Sequence, residues 1–200
     1  MQVVLATANP GKYRELVTIL SDLRISFFSL ASLRGYSPPV ESGVTYAENA
    51  AAKARAVAAI SGSWALADDS GLEVEALQGQ PGVHSGRYLG PAATDMERNQ
   101  RILDLLDGVP LYRRGASFQC TVAVAGPEGE LLLTHGSCRG IIAEAPCGTG
   151  GFGYDPIFMV PELGMTMASL LPDTKNRISH RGRALEQMKP LLRRLARAAA

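Results

Sequence analysis

The stretch ADDSGL at residues 67–72 places two adjacent carboxylates, Asp68 and Asp69, between two apolar segments. Residues 64–67 before it and residues 72–77 after it have the pattern of buried or half-buried strands. An unpaired charge costs much free energy in such surroundings, so we expect a cationic partner. The candidates are a divalent metal such as Mg²⁺ and a basic side chain. A plain turn is the alternative, because Asp, Ser and Gly are common turn residues.

The composition indicates one globular domain, or at most two closely joined lobes, since 46% of the 200 residues are hydrophobic. The net charge of +1 argues against nucleic acid or a membrane surface as a partner. Three cysteines without a CxxC spacing argue against a disulfide framework and favour a reducing cytoplasm. The N-terminus lacks the features of a signal peptide, and no apolar run approaches the ~18 residues of a membrane span.

Near the N-terminus, an apolar strand at residues 2–6 runs directly into a helix start. Asn9 is a typical N-cap, and Pro10 suits the first helical position. Backbone N–H groups at a helix start attract phosphate, whereas the helix dipole disfavours a cation such as Lys12 there. Lys12 is therefore a candidate phosphate ligand, with a solvated side chain as the alternative.

The residue pattern in the middle of the chain predicts two helices and a hairpin. Residues 45–48 and 94–97 have the pattern of capping boxes that begin helices. Residues 116–125 and 130–145 are rich in β-branched and apolar residues and predict a long hairpin. Two charged residues in this half of the chain, Glu41 in a loop and Lys53 in a helix, have solvated side chains as their default interpretation.

Residues 148–153 formally match GxGxxG, but a dinucleotide fingerprint also needs a preceding strand and a following helix. Pro156 and its neighbours cannot begin that helix cleanly. The match therefore predicts a glycine-rich loop whose Phe152 suits the face of a purine base, with a core phenylalanine as the alternative. Residues 175–183 hold four cations and a histidine before the last helix, which indicates a solvated surface or an anion pocket.

Together these motifs resemble the inosine triphosphate pyrophosphatase family, which hydrolyses deaminated purine nucleoside triphosphates such as ITP, dITP and XTP. Each motif is weak alone, but their order along the chain is specific. Ala8, His84 and Gly86 depart from the family's pattern, and none of them replaces a proposed catalytic group. The motifs are residues 7–12, Glu48-Asn49 with Lys53, residues 67–72, Pro81-Gly82-Val83 with Ser85, Arg87-Tyr88, residues 148–158 and residues 179–182.

The resemblance implies Mg²⁺-dependent hydrolysis between the α and β phosphates, giving a nucleoside monophosphate and pyrophosphate. It also implies a homodimer, and we expect a single pyrophosphatase domain over residues 1–200. We expect an α/β fold with a mixed, twisted central sheet, flanking helices and two lobes that form an active-site cleft. The alternative function is a nucleoside triphosphate pyrophosphatase with a different base preference.

By resemblance, Asp69 is the general base or water-orienting carboxylate and a metal ligand, and Glu41 and Asp68 are further metal ligands. Adjacent strand residues face opposite sides, so both aspartates reach one metal only if the strand ends between them. We expect the Ser70-Gly71 turn to end the strand and let Asp69 face the cleft. The implied substrate-binding residues are Thr7, Ala8, Asn9, Pro10, Gly11, Lys12, Lys53, Ser70, Phe152, Gly153, Tyr154, Asp155, Lys175, His180 and Arg181.

Base selectivity follows from the purine edge. Residues 152–155 hold the base and sugar by resemblance, and Lys175, His180 and Arg181 read the edge of the base. Hypoxanthine and xanthine present a C6 carbonyl that a cation satisfies, whereas adenine presents an amino donor. Guanine shares the carbonyl, so its rejection must come from its 2-amino group.

Overall fold

A computed structural model describes residues 1–33 and 42–198. The strands of this part are β1 (Gln2–Leu5), β2 (Ser26–Ser29), β3 (Trp64–Val74), β4 (Gly115–Ala125), β5 (Leu131–Ile142), β6 (Phe158–Val160) and β7 (Met165–Thr166). Its α-helices are α1 (Pro10–Ile19), α2 (Tyr46–Ser61), α3 (Asp95–Leu105), α4 (Pro172–Ile178) and α5 (His180–Ala198).

The strands form one mixed sheet in the order β2-β1-β3-β4-β5-β6-β7. β1 pairs in parallel with β2 and β3, whereas β6 pairs antiparallel with β5 and β7. The predicted α/β fold with a mixed sheet and flanking helices is confirmed. Within the described residues, no helix combines the length and apolar composition that crossing a bilayer requires.

The chain divides into two compact units. The first unit comprises Met1–Asp69, Cys120–Gly136 and Arg181–Ala200, and the second comprises Ser70–Gln119 and Ser137–His180. The single domain over residues 1–200 and the cleft between lobes stay predictions.

In the first unit, the two faces of the sheet carry different helices. Val3, Leu5 and Leu66 pack in one apolar cluster with residues of α1 and α5. Ala65 and Ala67 pack in a second cluster with residues of α2. Successive strand side chains point to opposite faces, and β3 follows this alternation strictly through residues 65–67.

The helix starts follow the chemistry expected from the sequence. The Asn9 side chain accepts from the backbone N–H of Lys12 at 3.0 Å and caps α1, with Pro10 in its first turn. Thr94 and Glu97 form the complete capping box of α3. At α2 the Thr45 side chain accepts from the N–H of Glu48 at 3.2 Å.

Two local predictions are wrong. β3 runs from Trp64 to Val74 without a break, so the predicted turn at Ser70-Gly71 does not exist. The apolar residues on both sides are buried in one sheet, and this burial overrides the turn preference of the Asp, Ser and Gly residues. The basic stretch at residues 175–183 is not a segment before the last helix, because it spans α4 and α5 with Ser179 between them.

In the second unit, a buried hydroxyl joins the loop after β3 to the sheet. Ser85 Oγ accepts from the backbone N–H of Leu72 at 2.8 Å and donates to the carbonyl of Gly82 at 2.6 Å. The Tyr154 hydroxyl donates to the carbonyl of Ser85 at 3.0 Å. Ser85 therefore joins its own loop to β3 and to the segment that contains Tyr154.

We expect Ser85→Ala to lower the free energy of unfolding by about 1–3 kcal/mol, because the buried N–H of Leu72 loses its acceptor. For a chain of this size the melting temperature should fall by about 2–4 °C per kcal/mol, measured by thermal denaturation. The matched control is Ser21→Ala, which removes an exposed hydroxyl that donates to the Thr18 carbonyl. Equal melting temperatures for the two variants would contradict this assignment.

Candidate active site

Asp68 and Asp69 lie on opposite faces of the sheet, because β3 continues through both residues. The alternation places Asp68 on the side of Leu66, which faces α1 and α5, and Asp69 on the side of Ala67, which faces α2. Both side chains are buried, with exposed residue fractions of 2% and 5%. Each carboxylate therefore has its own set of partners.

Asp68 is the centre of a buried ion-pair group. Its Oδ2 accepts from Lys12 Nζ at 3.0 Å and from Arg181 Nη2 and Nε at 2.9 and 3.2 Å. Arg181 also donates to Glu15 Oε2 at 2.6 Å. Burial raises the pKa of Asp68, but the charges of Lys12, Arg181 and Lys53 outweigh it and hold that pKa far below its ordinary value. Asp68 is therefore ionised at neutral pH.

Asp69 is bound by two side chains of α2. Its Oδ2 accepts from Asn49 Nδ2 at 3.1 Å, and its Oδ1 accepts from Lys53 Nζ at 3.0 Å. Asn49 and Lys53 are four residues apart and share one helix face. The Asn49 Oδ1 accepts from the N–H of Gly43 at 2.9 Å, which turns the amide N–H₂ toward Asp69. The default interpretation of Lys53 as a solvated side chain is wrong.

The N-terminal loop and the start of α1 border a pocket of about 650 Å³ in the first unit. Thr7, Ala8, Asn9 and Pro10 line it, together with residues of β2 and the segment that follows. The Lys12 side chain is mostly buried and bound to Asp68, so the alternative of a solvated lysine is also wrong. Four of the predicted substrate-binding residues therefore line one pocket.

In the second unit, Phe152, Asp155 and Lys175 form another group. Lys175 Nζ contacts Asp155 Oδ2 and lies 4.9 Å from the centroid of the Phe152 ring. The same Oδ2 accepts from the N–H of Phe152 at 2.8 Å. Gly151 has φ of +70°, and a Cβ there would clash with the Asp155 carboxylate, so only glycine fits. The glycine-rich loop thus brings an aromatic face and a buried ion pair together.

The side chains of three other predicted substrate-binding residues contact the rest of the protein. The Tyr154 hydroxyl donates to Ser85, and burial raises the pKa of this phenol. The His180 ring stacks on Phe118 with centroids 4.7 Å apart. The Arg181 guanidinium is buried on Asp68 and Glu15, which gives no support to its reading a purine edge. Within residues 175–183, Lys175, His180 and Arg181 are buried, whereas Arg177 and Arg183 are exposed.

Sequence reasoning did not assign Asn49 or Glu15 to the site, and it did not predict the pairing of Arg181 with Asp68. Asn49 was detectable, because it precedes Lys53 by one helical turn and carries a polar group on the same face. Glu15 follows Lys12 by three residues on α1, so it also had a helical signal. The pairing of Arg181 with Asp68 spans 113 residues of sequence and had no local signal.

The described residues fit a Mg²⁺ ion held by few protein oxygens rather than by a protein cage. They contain no group of three or more Asp, Glu, His or Cys side chains arranged around a metal. Glu41, a predicted ligand, lies outside the described residues. Asp69 offers hard carboxylate oxygens. Because β3 does not end between the two aspartates, the condition for Asp68 to reach the same ion is not met. Mg²⁺ typically combines one or two carboxylates with substrate phosphates, which suits this set.

Residues 3–191 match the Ham1 family. The chain belongs to the Ham1 family. A Ham1 relative from Desulforamulus reducens, named dITP/XTP pyrophosphatase, is 47% identical over 195 residues, which are 98% of this chain and 97% of the relative. A relative of the same name from Geobacter sulfurreducens is 47% identical over 94% of each chain.

A solved structure of a HAM1 protein from Coxiella burnetii has the same fold. It superposes with a TM-score of 0.88 and 44% sequence identity, covering 97% of this chain and 99% of that one. The family resemblance inferred from the ordered motifs is therefore confirmed, and with it the prediction of an enzyme.

We expect Asp68→Asn to lower the free energy of unfolding at pH 7 by about 3–5 kcal/mol, because Arg181 keeps its charge but loses its principal buried partner. In the wild type, the stabilisation from ionised Asp68 is complete well above its ordinary pKa of 3.8. It is lost as the pH falls below that value toward the lowered folded pKa. The difference in free energy of unfolding between the wild type and Asp68→Asn should therefore become smaller when the pH is lowered from 7 to 3.

Chemical denaturation at both pH values measures this difference. Asp104→Asn is the control, since Asp104 is an exposed carboxylate whose hydrogen bond comes from Gln100. A difference of the same size at pH 7 and pH 3, or none at pH 7, would refute the ion-pair assignment.

Proposed function

We propose that this chain hydrolyses deaminated purine nucleoside triphosphates, namely ITP, dITP and XTP, to the monophosphate and pyrophosphate, and so removes them from the nucleotide pool. The names of the Ham1 relatives support this substrate class. The observation that carries the proposal is the buried Asp69 carboxylate, which Asn49 and Lys53 hold from the same helix.

We assign the triphosphate to residues of the first unit. Phosphoryl transfer depends mainly on positioning and on positive charge near the phosphate oxygens. Lys12 and Lys53 supply that charge, and the start of α1 adds N–H groups and the positive end of a helix dipole. Both lysines are held in place by Asp68 and Asp69, so their positions are set before the substrate arrives.

Asp69 is the general base or the carboxylate that orients the attacking water. Its two oxygens accept from two α2 side chains, which fixes the plane of the carboxylate. Asp69, with Glu41 by family resemblance, would hold Mg²⁺, whereas Asp68 lies on the opposite face of the unbroken strand β3. When bound, the ion draws charge from the phosphate oxygens and lowers the pKa of water.

The charges of this site favour binding of the metal together with the nucleotide. Three cations and three carboxylates balance among the described residues of the two ion-pair groups. A neutral group attracts an isolated divalent cation weakly, whereas a triphosphate brings its own negative charge to the metal. The six residues are Lys12, Lys53, Arg181, Glu15, Asp68 and Asp69.

We assign the purine base to the second unit. The ring of Phe152 offers a flat apolar face, and Lys175 supplies a donor for the C6 carbonyl of hypoxanthine or xanthine. Adenine presents an amino donor at this position, which a lysine cannot satisfy. Guanine has the same C6 carbonyl, so a pyrophosphatase of different base preference is the second candidate function.

The cellular setting is also a proposal. Cys120, Cys138 and Cys147 are all free thiols, which supports a reducing cytoplasm. We propose a homodimer by family resemblance, and the small net charge supports the absence of nucleic acid as a partner.

With Mg²⁺ present, we expect rapid turnover of ITP, dITP and XTP, slow turnover of ATP, GTP and dTTP, and pyrophosphate as the inorganic product. Chelation of the metal by EDTA should abolish turnover. Separate assays for pyrophosphate and orthophosphate after each incubation measure both points. Release of orthophosphate, or equal rates on ITP and ATP, would overturn the proposed reaction, and equal rates on ITP and GTP would favour the second candidate.

We expect Asp69→Asn to lower kcat by about 10²–10⁴-fold, because the amide cannot accept a proton from the attacking water. The amide keeps the size of the carboxylate, so circular dichroism should show a folded chain. The control is Asp104→Asn, which makes the same change on the exposed face of α3 and should leave kcat unchanged. A kcat near the wild-type value for Asp69→Asn would exclude this residue as the base.

A further inference from the structure

Gly153, in the glycine-rich loop, has both backbone groups bound by side chains of α3. Its N–H donates to Asp95 Oδ2 at 2.8 Å, and its carbonyl accepts from Asn99 Nδ2 at 3.0 Å. Asp95 and Asn99 are four residues apart and therefore share one helix face. We call this pair the α3 clamp.

The α3 clamp is itself fixed by its surroundings. Asn99 is buried, with 5% of its surface exposed. Arg98 donates to Asp95 Oδ1 at 3.2 Å and to the carbonyl of Tyr88 at 2.9 Å, which ties the exposed member of the clamp to the preceding loop. Asp95 thus has a defined orientation despite its exposure.

Gly153 also lies at a sharp turn of the loop, directly beside Phe152. Its φ of +62° lies in the left-handed region, so the chain turns sharply there. Phe152 precedes it directly, and the N–H of Phe152 binds the Asp155 carboxylate that Lys175 contacts. A displacement of Gly153 therefore moves the aromatic ring and the ion pair together.

We propose that Asp95 and Asn99 are positioning residues for base recognition, acting through Gly153 on Phe152 and Asp155. This inference rests on the proposed function, because it assigns the base to the glycine-rich loop. The clamp acts on the base and not on the phosphates, which we assign to Lys12 and Lys53. Loss of the α3 clamp should therefore lower the affinity for every ligand that carries the base and leave the affinity for inorganic pyrophosphate unchanged.

Product inhibition separates these two effects. In Asn99→Ala and Asp95→Ala we expect the inhibition constant of IMP to rise about tenfold, the effect of losing one hydrogen bond to a charged or buried partner. The inhibition constant of pyrophosphate should stay within about twofold of the wild type. Asp95→Asn keeps an acceptor oxygen and should restore most of the IMP affinity. Asp104→Ala, on the exposed face of the same helix, is the control.

Unchanged IMP inhibition in both alanine variants would overturn the proposal. Equal weakening of IMP and pyrophosphate would also overturn it, since that pattern indicates a general loss of structure.

Hydrogen–deuterium exchange tests the clamp without turnover. The amides of residues 148–154 should exchange faster in the two alanine variants than in the wild type or in Asp104→Ala. A wild-type protein that does not hydrolyse ITP would refute the proposed function alone, whereas unchanged exchange in this segment would refute the clamp alone.

Discussion

The structure of the first unit depends on the side-chain alternation of an unbroken strand. β3 sends Leu66 and Asp68 to the face of α1 and α5, and Ala67 and Asp69 to the face of α2. The two adjacent carboxylates therefore bind different helices. Asp68 joins α1 to α5 through Lys12 and Arg181, whereas Asp69 receives Asn49 and Lys53 from α2. The covalent neighbours are separated by the sheet itself.

This separation gives each lysine a fixed position. An isolated buried carboxylate would be neutralised or would cost several kcal/mol. Paired with Lys12 and Lys53, the two carboxylates hold the ammonium groups at the positions that we assign to triphosphate binding. Arg181 and Glu15 complete the Asp68 side, so that this group is balanced without the substrate. Stability and preorganisation come from the same contacts.

Much of the fold could be predicted from local chemistry. The N-cap at Asn9 and the capping box at Thr94 depend on residues three positions apart, which a sequence displays directly. The break predicted after Asp69 failed because pairing within the sheet overrode turn preference. The partners of Asp68 and Gly153 could not be predicted, because Arg181 and Asn99 reach them across 113 and 54 residues. The family was recognisable because the order of several weak motifs is specific.

Two double-mutant cycles test the division of roles most directly. One cycle pairs Asp68→Asn with Arg181→Met, and the other pairs Asp69→Asn with Lys53→Met, each measured in the free energy of unfolding and in kcat/KM for ITP. We predict that the coupling of Asp68 and Arg181, about 1–3 kcal/mol, appears in unfolding. The coupling of Asp69 and Lys53 should appear chiefly in kcat/KM. A coupling in kcat/KM as large for the Asp68 pair as for the Asp69 pair would contradict the account.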